Sequence, residues 1–294
     1  MTASNSTDSL QAPVTRLLPT PHETRPLRGL YLESPLEPAA GSGPFVYANF
    51  VTSLDGRIAV DNGAVYGVPR SVANPRDWRL FQELAARADC LITSGRFLRQ
   101  WEAGAAQDVL PLGPRFDDLR AWRLAAGMPA QPDVAIVSAS LDFNLPPMLA
   151  GGERRVWLLT SAGTPARRLR RHLSAGVRLA ADPLPRRLDG CTIRDALGGL
   201  GYRRIYSVTG PQVMHTLVAD GTLDALFLTV RHRLIGGDGY DSIVEGSAFK
   251  RPGDLELRWL YLDAGFGDGA GQHFLRFDAG VSDAGEPCPP SGRY

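Results

Sequence analysis

Three short stretches of this chain combine hydroxyls, a small residue and an imminent helix. They are Thr93-Ser94-Gly95-Arg96, Thr160-Ser161-Ala162-Gly163-Thr164 and Ser207-Val208-Thr209-Gly210-Pro211. Each follows an apolar run that reads as a buried strand. Helix starts present free N–H groups and a partial positive charge, so three such ends in one sheet suit a long phosphorylated ligand such as a dinucleotide. Ordinary helix capping uses the same residue types, and the residues alone leave both readings open. Arg96 adds a guanidinium able to grip a phosphate with two hydrogen bonds, which for a dinucleotide favours NADP over NAD. A fourth stretch, Thr52-Ser53-Leu54-Asp55-Gly56-Arg57, sets two hydroxyls and a carboxylate just beyond a buried run, facing a cleft. Asp-Gly by itself is usually a turn.

Other chemistries lack their residues. There is no GxxxxGK[ST], HExxH or GxSxG string, which disfavours P-loop phosphoryl transfer, zincin and α/β-hydrolase chemistry. Gly265-Phe266-Gly267-Asp268-Gly269-Ala270 matches G-x-G-x-x-A only as letters: it leads into a strand without a βαβ unit, and reads as a flexible connection. Lys250 is the only lysine, so a Schiff-base mechanism has one candidate amine. Cys90, Cys191 and Cys288 lie far apart with no metal-ligand spacing, and are expected to be reduced buried thiols; no metal is expected.

The elements that must position these residues alternate along the chain. Candidate strands are Phe45–Val51, Cys90–Thr93, Val134–Ser138, Val156–Thr160, Val177–Ala181, Arg204–Thr209 and Ala225–Val230. Leu257–Leu262 and His273–Phe277 close the chain as a strand pair. In the segment from 73 to 89, Asn74 suits an N-cap and Pro75 the first helical position, with Trp78, Phe81, Leu84, Ala85 and Ala88 at helical spacing. Further helices are expected to open at Thr164-Pro165, at Asp189 or Thr192, and at Gly210-Pro211. Such alternation implies crossover connections, a mostly parallel sheet and helices on both faces. Residues 1–43, rich in Pro, Ser, Thr and Gly, read as a partly ordered N-terminal arm. Residues 44–282 read as one α/β domain and 283–294 as a disordered tail.

Composition removes further classes. The 294 residues carry 32 Lys+Arg against 31 Asp+Glu, a formal charge of +1, without the basic excess of a nucleic-acid binder. No apolar run reaches the roughly 20 residues of a membrane span, and no signal peptide is evident, so a cytoplasmic location is expected.

The stretch YANFVTSLDGRIA resembles the opening strand of the RibD-like C-terminal reductase family, marked by S-x-D-G-[RK]-I-A. Ala88-Asp89 with CLITSG, the segment RRIYSVTGPQVMHTLVADGTLDALFLTVRHRLIGGDG and the terminal strand pair agree with the family in order, over about residues 44–280. The resemblance implies a dihydrofolate-reductase-like three-layer α/β/α domain, with a mostly parallel mixed sheet and a C-terminal antiparallel hairpin. It implies NADPH as hydride donor and a phosphoribosylaminopyrimidine of riboflavin biosynthesis as small-molecule acceptor, or another heterocycle. It also implies a homodimer, for which Ala225–Val230 offers a seam. By matching position, Thr52, Ser94, Gly95, Arg96, Thr160, Ser161 and Gly210 would bind cofactor. Asn49, Ser53 and Asp55 would bind the acceptor, with Asp55 orienting it or relaying a proton. The chain departs from the family where Thr209-Gly210-Pro211 replaces Glu-Gly-Gly, where Asn49 replaces a lysine, and where LRQWEAGAAQDVLPLGP replaces D-[DN]-P-x-L-T-x-R. Those losses also fit a non-catalytic nucleotide-binding sensor or assembly protein. No HxE…PCxxC signature occurs, so deamination is expected to belong to a separate protein.

Overall fold

The structure, a computed structural model, describes residues 10–37, 43–61, 66–106, 112–150, 152–181, 188–264 and 269–280. Strands are numbered in chain order. From edge to edge the main sheet runs β2 (Glu23–Arg25), β1 (Val14–Leu18), β13 (Leu255–Asp263), β14 (Gln272–Ala279), β11 (Ala225–Arg231), β3 (Phe45–Ser53), β10 (Arg204–Ser207), β6 (Cys90–Ser94), β7 (Asp133–Val137), β8 (Val156–Leu159) and β9 (Arg178–Leu179). The pairings from β11 to β9 are parallel and those from β2 to β11 antiparallel. A second, three-stranded sheet joins β12 (Tyr240–Asp241), β4 (Ala59–Asp61) and β5 (Tyr66–Gly67). This is the expected dihydrofolate-reductase-like architecture, with its mostly parallel sheet and C-terminal hairpin.

The parallel strands are apolar on both faces because helices cover both. One face packs Tyr47, Leu91, Val134, Leu158, Tyr206 and Phe227 under α1 (Pro75–Arg87), α2 (Gly95–Glu102) and α3 (Asp117–Ala125). The other packs Val46, Ala48, Ile92, Ala135 and Ile205 under α6 (Gly190–Gly199) and α7 (Pro211–Ala219). Two more helices, α4 (Pro147–Ala150) and α5 (Ala166–Ser174), complete the set among the described residues.

Helix starts follow side-chain chemistry. Asn74 caps α1, accepting from the Arg76 and Asp77 amides, and Pro75 takes the first helical position. Asp189 caps α6 and Gly210 stands at the cap of α7. Thr164 does not cap α5: its hydroxyl bonds Thr160 and the Ala139 carbonyl, and Pro165 holds the cap position.

Other expectations are corrected. The N-terminal stretch is not an arm outside the domain over residues 10–37. It adds β1 and β2 to the sheet and buries Leu27, Tyr31 and Leu36 completely. Its period is hidden because only five and three residues are strand, and the partner β13 lies over 230 positions away. The Ala225–Val230 seam is excluded, since β11 pairs with β3 on one side and β14 on the other. Cys90 is a buried free thiol, whereas Cys191 is disulfide-bonded rather than reduced. The tail from 283 and the glycines at 265 and 267 lie outside the described residues.

Candidate active site

All the parallel strands deliver their carboxyl ends to one edge, and their unequal lengths open a gap there. β10 stops at Ser207, level with Ala48 of β3 and Ile92 of β6. Asn49–Ser53 therefore run on past it on one side and Thr93–Ser94 on the other. The chain leaving β10 enters α7 on one face, whereas the chains leaving β3 and β6 lead to α1 and α2 on the opposite face. Such a divergence at strand carboxyl ends is where open α/β sheets bind ligands.

The gap is lined by polar groups without protein partners. The Asn49 amide nitrogen and the Thr93 hydroxyl are both buried and unbonded among the described residues. A buried polar group left alone costs about 1–3 kcal/mol, so such groups mark a place where a ligand or water completes the site. Ser207 and Thr209 pair hydroxyl to hydroxyl at 2.7 Å beneath it. Gly210 has an ordinary negative φ of −79°, and a Cβ there would meet nothing within 4 Å. Neither backbone conformation nor packing demands glycine; the open space faces the start of α7, where Pro211 withholds one N–H.

The sequence-expected cofactor residues divide into capping and open groups. The Ser94 hydroxyl caps α2 by accepting from the Phe97 amide at 3.2 Å. Gly95 is required by packing, because a Cβ would stand 2.6 Å from the Ser138 hydroxyl. Thr160 bonds Thr164, and the Thr52 hydroxyl donates to the Ser53 carbonyl at 3.0 Å. Ser161 is half-buried, and its carbonyl accepts from the Thr164 amide at 3.0 Å. Arg96 is 42% exposed with its nearest carboxylate oxygen, on Asp241, 4.0 Å away. It is the freest cation of this edge among those named.

Asp55 is held from all sides. It accepts from the Ser53 hydroxyl at 2.5 Å, from Arg57 at 2.7 Å and from the Gly236 amide at 2.9 Å, with the Ile235 amide at 3.3 Å. The Ser53 bond first, then the Gly236 amide, pull its pKa down to about 2. Gly56 follows at φ +83°, a left-handed turn that glycine adopts freely. Asp55 thus ties the β3 exit to residues 235–236 as an ionised anchor. A carboxyl held near 2 is a poor proton relay at neutral pH, so that part of its expected role does not fit its surroundings.

A second carboxyl went unnoticed in the sequence. Asp77, in the first turn of α1, is 7% exposed, and burial pushes its pKa up to about 6, with Thr229 and Arg231 drawing it down. Thr229 and Arg231 sit on β11 level with Val51 and Ser53. They share a face with Phe227, and hence with Asn49 beside it. An aspartate after Asn-Pro reads as helix-start chemistry, and no spacing distinguishes it from an exposed cap residue.

The family model described as "RibD C-terminal domain" matches residues 44–263. The fold is shared with a pyrimidine reductase-like protein from Corynebacterium diphtheriae, at 20% identity and TM-score 0.61, covering 80% of this chain and 92% of that one. It is shared also with Acinetobacter baumannii RibD, at 18% identity and TM-score 0.55, covering 81% and 58%. A deaminase/5-amino-6-(5-phosphoribosylamino)uracil reductase from Thermotoga maritima follows at 15% identity and TM-score 0.55, covering 81% and 57%. The chain thus spans little more than half the length of the last two. No curated protein matches it.

Proposed function

The chain belongs to the RibD C-terminal domain family, and from that premise we propose that it is an NADPH-dependent reductase of a phosphoribosylaminopyrimidine or a related heterocycle. The observation that carries the reading is the gap beyond β10, with the unbonded Asn49 and Thr93 groups beside it and open space over Gly210. A dinucleotide suits that edge: the α7 start and Gly210 would take the pyrophosphate, Thr160 and Ser161 the adenosine side, and Arg96 the extra phosphate. When bound, the reduced nicotinamide supplies a hydride to an imine-like carbon of the acceptor. The chain orients the two partners: Asn49 donates toward the acceptor, Thr52 and Ser53 line the cleft, and the Asp55 anchor holds residues 235–236 against β3. Asp55 serves here by position rather than by proton transfer.

The test is a fluorescence titration with NADPH and NADH, followed by NADPH oxidation with the phosphoribosylaminopyrimidine. Tighter NADPH binding with turnover supports the reading. NADPH binding without turnover supports the sensor alternative, and equal weak binding of both nucleotides refutes the cofactor assignment.

A further inference from the structure

Asp55 and Asp77 stand at the same end of the sheet in opposite environments. The Asp55 oxygens are taken up by a hydroxyl, a guanidinium and backbone amides. Asp77 lies under α1 against the β3–β11 strand ends, its Oδ1 buried outside ordinary hydrogen-bond distance of any described residue and the Thr229 hydroxyl facing its carboxyl. Pairs of carboxyls whose surroundings drive their proton affinities apart divide into an ionised group and a proton donor.

We propose that Asp77 donates the proton to the acceptor nitrogen as hydride reaches the adjacent carbon. This deepens the reductase reading and rests on it. The balance is simple. A hydride from the reduced nicotinamide forms the new C–H bond, and the C=N π pair moves to nitrogen. That nitrogen takes the proton from the Asp77 carboxyl, and the carboxylate regains one from solvent. Arg231, across from Asp77 on β11, steadies the carboxylate left behind. A pKa pushed up to about 6 leaves a useful protonated fraction near neutrality and makes re-protonation easy.

The groups facing Asp77 are Thr229 and Arg231 from β11, Tyr31 from the N-terminal turn and Tyr206 from β10. Burial drives both tyrosines well above their ordinary range, so neither titrates near 6. The other titratable pair at this end is His232 and His273, ring nitrogens 2.9 Å apart.

The experiment compares the wild type, Asp77→Asn, Asp77→Glu and His232→Gln, with NADPH and the phosphoribosylaminopyrimidine as probes. In Asp77→Asn, NADPH should bind within about twofold of wild type while kcat falls roughly 100-fold or more, the range of general acid catalysis. The fall of kcat as pH rises through about 6 should vanish in Asp77→Asn, persist in His232→Gln and return in part in Asp77→Glu. Independently of turnover, the carboxyl ¹³C resonance lost in Asp77→Asn should titrate near 6 in the free enzyme. An unchanged kcat in Asp77→Asn, or a resonance titrating at or below 4, overturns the proposal. Loss of NADPH affinity together with folding in Asp77→Asn and Asp77→Glu also overturns it, in favour of a structural role. If the wild type binds NADPH but oxidises it with no acceptor while that resonance still titrates near 6, it is the reductase reading that fails, and the proton-donor role falls with it.

Discussion

Two aspartates at one sheet edge respond to pH in opposite directions. Asp77 has its pKa raised to about 6, above the unfolded value, so folding favours its protonated form. That contribution is complete below about pH 4 and is lost as pH rises through 6. Asp77→Asn should therefore flatten the stability curve between pH 4 and 7, with a gain at pH 7 on the order of 2–3 kcal/mol. Urea unfolding midpoints at pH 4 and pH 7 check it, and a larger loss at pH 7 than at pH 4 would contradict it. Asp55 has its pKa lowered to about 2, so its contribution is present above pH 4 and lost as pH falls toward 2. Asp55→Asn should remove that acid-side dependence while leaving NADPH affinity within a few tenths of a kcal/mol. Arg96 is the remaining residue-scale test. Arg96→Ala should weaken NADPH about tenfold, roughly 1.4 kcal/mol, and leave NADH unchanged. A wild type without preference between the two nucleotides would contradict it.

At the scale of elements, α1 connects the N-terminal strands to the site. A surface helix shows one apolar stripe; α1 instead buries Arg79 and Glu83 on the side that faces residues 27–36. Glu83 accepts from the Gly29 amide at 2.7 Å, the Tyr31 amide at 3.0 Å and Arg79 at 2.8 Å. One carboxylate thus fastens the N-terminal turn onto the helix that carries Asp77, and sets Tyr31 over Phe227 with ring centroids 4.9 Å apart. Removing the carboxylate leaves the Gly29 and Tyr31 amides without their acceptor and Arg79 with Asp118 as its remaining carboxylate, so Glu83→Ala should cost about 3–5 kcal/mol. A midpoint shift below 1 kcal/mol in denaturant unfolding would contradict that. On the other flank, Arg123 of α3 donates to the Ala86 and Ala88 carbonyls at 2.8 and 2.6 Å, closing the carboxyl end of α1. Both contacts act on the second half of α1; its first turn is held separately by Arg76, which donates to Asp263 at 2.7 Å and to the Ala12 carbonyl at 3.0 Å, and so fixes the turn that carries Asp77.

For the whole molecule, the strand order places the first parallel strand, β3, between the two that come last in sequence, β10 and β11. The cleft is therefore built from segments about 150 positions apart. We propose the homodimer that the family resemblance implies, with an interface that does not use β11, which has a partner on each side. Light scattering should give about twice 31.8 kDa at micromolar concentration, and a monomeric mass would contradict the dimer. Among the described residues no helix is long and apolar enough to cross a membrane.

The sequence by itself determined the class of fold and the parallel strands, because burial on both faces of a parallel sheet leaves continuous apolar runs that no turn chemistry imitates. Phe45–Val51, Cys90–Thr93 and Ala225–Val230 all reappear within β3, β6 and β11, extended by at most two residues. Caps were legible wherever one side chain bonds an amide two or three positions on, as Asn74 and Asp189 do. The S-x-D-G string stands where β3 ends, at the carboxyl-end edge of the parallel strands. What only the tertiary structure decided is the state of the groups at that edge. Asp55 and Asp77 are the same residue type in turn-forming surroundings; the Ser53 hydroxyl and then the amides of residues 235–236 hold one ionised, and burial against β11 raises the other. The N-terminal strands were illegible for the same reason, since β1 is short and its pairing with β13 is a contact that no local pattern encodes.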